Sequence, residues 1–420
     1  MKKVLGLLLG LIMVFACTAM LTSCGGSGSE EGSSDDAGIK VGFICLHDEN
    51  STYDLNFINA AKDACKELDI SEENYLIKTN IPEDQQCYEA AAELVDAGCG
   101  IIFADSFGHE DYMIQAAKEF PDVQFCHSTG TRAHTEKLDN YHNAFAAIYE
   151  GRYLAGVAAG MKLNEMIEKG DITAEEAKIG YVGAYTYAEV ISGYTSFFLG
   201  AREICPSATM DVTFTGSWYD EAAEKEAANK LIDGGCVLIS QHADSMGAPT
   251  ACEKAKVPNV SYNGSTMDAC PNTFIVSSRI DWTPYYKDAI TKAINKEKID
   301  VDWVGTLDTE SVALTEVNEN AAAEGTQAKI DEMKAKISAG DVKVFDTSKF
   351  TVTVDEKNNV NAKVDGEGHL TSYMADVDTD KDYKPDTEAV EDGQFSESKF
   401  RSAPYFDLKI DGITLLDTKM

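Results

Sequence analysis

Six aromatic side chains, Tyr53, Phe107, Tyr185, Tyr187, Trp218 and Trp282, fall in short polar segments of this 420-residue chain. Rings of this kind can sandwich a flat heterocycle, while nearby amides, carboxylates and an arginine satisfy its polar edges. Ser106, Gln241, Asp244, Asn263 and Arg279 occupy the same kind of segment and supply those groups. Bond-breaking chemistry finds less support. Gln241-His242-Ala243-Asp244-Ser245 holds the residue types of a hydrolase, but adjacency in sequence does not set a nucleophile against its base. No Gly-x-Ser-x-Gly elbow accompanies it, so the segment reads as polar cleft lining and no catalytic residue is expected.

Metals and nucleotide cofactors are not expected either. The seven histidines form no His-Glu-x-x-His motif and no i, i+4 pair. In Asp376-Val377-Asp378-Thr379-Asp380-Lys381-Asp382 the carboxylates alternate as in a calcium loop. Yet Lys381 stands where the turn glycine belongs and Thr387 at the twelfth position, so a solvated acidic loop is the plainer reading. No glycine-rich phosphate loop follows any apolar run.

What would position the aromatic segments is a set of short apolar runs. Those at Ile39–Cys45, Tyr75–Ile77, Gly100–Ala104, Val123–Cys126, Lys178–Val182, Met210–Phe214, Cys236–Ser240, Asn259–Tyr262 and Phe274–Ser277 read as buried strands. Amphipathic stretches separate them: apolar residues at 57, 60, 61, 64, 65 and 68 recur on one helix face. Asp220 is placed to cap a helix that Gly234-Gly235 ends. Alternation of this kind predicts an α/β fold of parallel βαβ units. The order repeats after about residue 145, giving two doubly wound halves. Ligands bind such sheets beyond the carboxyl ends of the strands, where the aromatic segments lie. A last helix is expected over 318–338, with 352–420 an acidic, weakly periodic extension appended to the compact unit.

The ends and the charge narrow the setting. Met1-Lys2-Lys3, an apolar run from Val4 to Met20 and a small-residue site form a signal peptide over residues 1–23. Leu21-Thr22-Ser23-Cys24 resembles a bacterial lipobox, which makes Cys24 the lipidation site; the plainer alternative is a cleaved signal with an incidental cysteine. Residues 24–38, rich in Gly, Ser and acids, read as a flexible tether. With 36 Lys and Arg against 71 Asp and Glu, the net charge of −35 argues against nucleic acid or anionic lipid as the main partner. Nine further cysteines are scattered singly without a Cys-x-x-Cys pair and read as small buried apolar groups.

Several segments together resemble the basic membrane protein (BMP) family of ABC-transporter lipoproteins, which includes purine nucleoside receptors. They are Ser106-Phe107-Gly108-His109-Glu110-Asp111, Phe120-Pro121-Asp122-Val123-Gln124-Phe125, Tyr149-Glu150-Gly151-Arg152-Tyr153-Leu154-Ala155-Gly156, Lys178-Ile179-Gly180-Tyr181-Val182-Gly183, Gly216-Ser217-Trp218-Tyr219-Asp220 and Gln241-His242-Ala243-Asp244-Ser245. The resemblance implies a type I periplasmic-binding-protein fold, two Rossmann-like lobes joined by a three-segment hinge. It implies Tyr53 as a stacking ring with Asp54 beside it, and Asp111 as the carboxylate reading the base edge. It sets Asn263 and Arg279 where the nucleoside receptors hold ribose with an Asp and a Lys. An amide accepts fewer and weaker hydrogen bonds from a diol than a carboxylate does, which leaves nucleoside against free nucleobase open.

These observations lead to the expectation of a monomeric, extracytoplasmic, lipid-anchored substrate-binding protein, without cofactor, that hands a purine nucleoside or nucleobase to an ABC permease. Its lobes are expected at 39–130 with 278–305, and 131–277 with 306–351. The same architecture around a sugar or autoinducer, a surface nucleoside hydrolase, and an adhesin or signalling lipoprotein stand as alternatives.

Overall fold

The computed structural model describes residues 38–378 and 384–417. The signal, Cys24, nearly all of the tether and most of the calcium-like acidic run lie outside the described residues.

Between residues 40 and 314 the strands are β1 (Lys40–Ile44), β2 (Tyr75–Lys78), β3 (Cys99–Ala104), β4 (Gln124–Ser128), β5 (Tyr141–Ala146), β6 (Lys178–Gly183), β7 (Thr209–Phe214), β8 (Leu238–His242), β9 (Asn259–Tyr262), β10 (Phe274–Ile280), β11 (Asp302–Gly305) and β12 (Val312–Leu314). They form two sheets. The first runs β11-β5-β4-β3-β1-β2 and is wholly parallel. The second runs β12-β10-β9-β8-β6-β7, parallel except for β12, which lies antiparallel to β10. Central strands such as β3 and β8 are almost entirely buried, as helices on both faces require.

The chain crosses between the sheets after β5, after β10 and after β11. These crossings are bonded to one another: Ala147 N donates to Gly305 O, Asp281 N to Ser311 O and Leu307 N to the Glu150 carboxylate. The strand memberships move the expected lobe boundaries. β5 lies beyond residue 130 yet pairs in the first sheet, and β10 stays in the second sheet through Ile280. The expected last helix is shorter, Thr326–Ser338, because the Asn318 side chain donates to Pro271 O and Phe274 O and holds the preceding segment in turns.

Helices Ile148–Lys169 and Ala188–Ile204 pack unusually close. A Cβ on Gly156 would stand 2.0 Å from Phe197 O, and one on Gly200 would stand 2.0 Å from Tyr153 O. Only glycine fits at these contacts. Beneath them Arg152 is fully buried with no carboxylate partner among the described residues, its guanidinium donating to Tyr181 Oη, Ser240 Oγ, Ser278 Oγ and Ser261 O.

The segment after residue 351 is not a loose appendage. Its strand Ile413–Leu415 pairs in parallel with β7 and extends the second sheet. Phe406 stacks on Phe345 at 4.4 Å between ring centroids. Glu397 accepts from Ser192 Oγ at 2.5 Å, and the Asp302 carboxylate of the first sheet accepts from Ser402 N and Oγ. Sparse periodicity hid this packing, because the segment contributes single anchors and short strands. Among the described residues no helix is long and apolar enough to cross a membrane.

Candidate functional site

The carboxyl ends of both sheets face one cavity. Leu46 follows β1, Tyr53 sits in the first turn of helix Thr52–Glu67, Ser106 and Phe107 follow β3, and Thr129 follows β4. From the other side come Glu189 in the first turn of helix Ala188–Ile204, Trp218 after β7, His242 and Asp244 at and after the end of β8, and Tyr262 at the end of β9. The walls surround about 340 Å³ free of protein atoms, the open mouth included. Hydrogen bonds draw the lobes together across it. Thr52 N and Oγ1 both donate to Asp244 O, and Asn56 Nδ2 donates to Asn263 O at 3.2 Å.

Among the described residues no Lys or Arg lines the cavity. Burial, followed by the charges of Asp54, Glu224 and Glu189, pushes the Asp244 carboxyl well above the usual carboxylate range. Burial holds His242 below the usual imidazole range despite the Glu189 carboxylate 3.5 Å from Nε2. Tyr262 Oη and Thr129 Oγ1 are buried without a hydrogen-bond partner. Tyr53 Oη is already engaged, donating to Asp105 O at 2.6 Å, which fixes its ring as a wall. The arrangement suits an uncharged ligand with a flat face and a few edge groups, and a phosphate would meet no counter-charge.

Of the residues expected from sequence, Tyr53, Ser106, Phe107, Trp218 and Asp244 line the cavity. Tyr185 stands behind, stacked on Tyr187 at 5.0 Å and edge-on to Trp218. The others face elsewhere. Asp54 is buried and accepts from His47 N at 2.7 Å. Asp111 is exposed on the first turn of helix Glu110–Glu119 and pairs with Arg132. Gln241 accepts from Asn259 Nδ2 within the second sheet. Asn263, at φ 65°, turns its amide onto Asp244, and Arg279 pairs with Asp281. Trp282 stacks on Phe57 in the core. Sequence reasoning missed Leu46, Thr129, Glu189, His242 and Tyr262 as individual site residues. Only the rule that sites lie at strand ends could have found Tyr262, since its segment reads as strand interior.

Known proteins resemble this chain in sequence and in fold. Residues 41–346 match the family model of the PnrA-like ABC transporter substrate-binding proteins. A purine-binding protein of Brucella abortus (strain 2308) is 32% identical over 253 residues, which cover 60% of this chain and 67% of that one. A putative ABC transporter glucose-binding protein of Haloferax volcanii is 37% identical over 186 residues, 44% of each chain. An ABC transporter solute-binding protein from Conexibacter woesei superposes with a TM-score of 0.59 at 21% identity, covering 73% of this chain and 98% of that one. The two-lobed α/β architecture is that of the type I periplasmic binding proteins.

Proposed function

The chain belongs to the family of PnrA-like ABC transporter substrate-binding proteins, and from that premise we propose that its cleft captures a purine for delivery to an ABC importer. The observation that carries this reading is the cavity wall: Tyr53 and Phe107 from one lobe oppose Trp218 and Tyr262 from the other, with no cationic side chain among them. Flat, neutral heterocycles stack on such walls. The carboxyls of Asp244 and Glu189 and the hydroxyls of Tyr262 and Thr129 are the edge partners.

Free base is favoured over nucleoside. The residues that the family resemblance sets at the ribose positions, Asn263 and Arg279, are turned onto Asp244 and Asp281. A sugar is the second reading, supported by the name of the Haloferax relative. A hexose, however, needs a hydrogen-bond partner for each buried hydroxyl, whereas Phe107, Trp218 and Tyr53, its hydroxyl already bonded to Asp105 O, bring mainly ring faces.

In this account the open form exposes both rows of strand-end loops, the purine stacks on one lobe, and hinge closure buries it. The closed state is stabilised only by the contacts it adds, and no bond is made or broken. Diacylation at Cys24 would hold this receptor at the outer face of the membrane as a monomer. Ligand released by denaturing freshly purified protein and weighed by mass spectrometry tests the reading. An intact purine base supports it; a hexose, or base generated by turnover of added nucleoside, overturns it.

A further inference from the structure

One layer below the cavity, three ligand-type side chains converge from three elements of the first lobe. Cys45 follows β1, Asp54 lies in the first turn of helix Thr52–Glu67, and Asp105 follows β3. All three are buried, and a ligating atom of each lies within 4.8 Å of the other two. Asp105 Oδ2 has no partner in hydrogen-bond geometry, and Asp54 Oδ2 meets only His47 Nδ1, at 3.4 Å.

A fourth group points to what is missing. His109 is fully buried, and its Nε2 lies 2.9 Å from Ile81 O. A carbonyl only accepts, so Nε2 carries the proton. In the neutral ring Nδ1 is then a bare lone pair. That lone pair faces the Asp105 carboxyl at 3.9 Å and has no hydrogen-bond partner. Acceptors facing each other in a dry interior need something positive between them.

We propose that Cys45, Asp54 and Asp105 bind one divalent cation of the zinc class, with His109 beside Asp105 and His47 beside Asp54 as further donors. Thiolate, carboxylate and imidazole are zinc's usual ligands, at about 2.0–2.3 Å, so a contraction of roughly 1 Å by side-chain rotation would close the site. Thiolate and carboxylate hold such an ion only when deprotonated, so loading releases protons. Each ligand is the chain neighbour of a cavity residue: Cys45 of Leu46, Asp54 of Tyr53, Asp105 of Ser106. The ion would tie together the three segments that form the first lobe's half of the cavity.

The test uses full-length mature protein kept reduced, stripped with chelator, then titrated with Zn²⁺ and separately with Co²⁺. The proposal expects one tight equivalent of Zn²⁺ and, with Co²⁺, a near-ultraviolet thiolate-to-cobalt band. Cys45→Ser should abolish the band, and Asp105→Asn should weaken Zn²⁺ binding tenfold or more. No band with the wild-type protein, or a band that survives Cys45→Ser, overturns the proposal; the carboxyls then simply share a proton. The wild-type band decides the matter even where a variant folds poorly. An effect of Zn²⁺ on purine affinity rests on the function proposed above, whereas the cobalt band does not, so the two can fail separately.

Discussion

Phe107 of the first lobe meets Tyr187 of the second with ring centroids 5.2 Å apart and planes tilted by 33°. Tyr187 in turn stacks on Tyr185, and Tyr185 meets Trp218 edge-on, so a continuous chain of rings spans the mouth of the cleft. Tyr187 is 41% exposed, which places this bridge at the rim. One aromatic pair contributes about 0.5–1.5 kcal/mol. The closed form is therefore latched lightly at its edge, and a ligand that adds contacts inside can decide the balance between open and closed.

Stacking makes the first prediction. Trp218→Ala and Tyr53→Ala should each weaken purine binding by about 1–3 kcal/mol, the range for loss of one base-stacking ring. Calorimetry reads this directly, and an unchanged Kd would remove that ring from the site.

The buried carboxyl of Glu397 makes the second. Burial, opposed by hydrogen bonds from Ser192 and Ser398 and aided by Glu150 and Glu189, raises it from about 4.5 to about 7. A folded value above the unfolded one means that the native state binds the proton more tightly. This contribution to stability is full below pH 4.5 and is lost as the pH rises through 7. The shift corresponds to at most about 3 kcal/mol. Glu397→Gln should therefore flatten the fall in Tm between pH 5 and 7.5; a fall identical to that of the wild type would place the titration elsewhere.

The sheets were largely legible in the sequence because parallel strands covered on both faces are nearly continuous apolar runs. β5 was not: Tyr141-His142-Asn143 carries polar groups that become buried only through partners distant in sequence, as His142 does with Gln124. At the site, the rule of strand-end loops found Tyr53, Phe107 and Trp218. It could not say which way a side chain turns. The positive φ of Asn263 swings its amide to Asp244, and Asp111 lies on the exposed face of its helix. Both outcomes depend on neighbours more than 15 residues away.

The third prediction concerns the C-terminal segment. Phe406 is fully buried between Phe345 and Phe395. Phe406→Ala should cost about 3–5 kcal/mol, as for other large-to-small core changes. Denaturant unfolding measures this, and a loss below 1 kcal/mol would mean that the segment is not part of the core.

The central claim is that the interlobe cavity holds a purine. Calorimetry on ligand-free protein with adenine, guanine, hypoxanthine, adenosine, inosine and glucose tests it most directly. The account predicts one-to-one binding of at least one free base with a Kd well below ~1 mM, the matching nucleoside weaker and glucose silent. Glucose binding more tightly than every purine, or no heat from any purine, would contradict it.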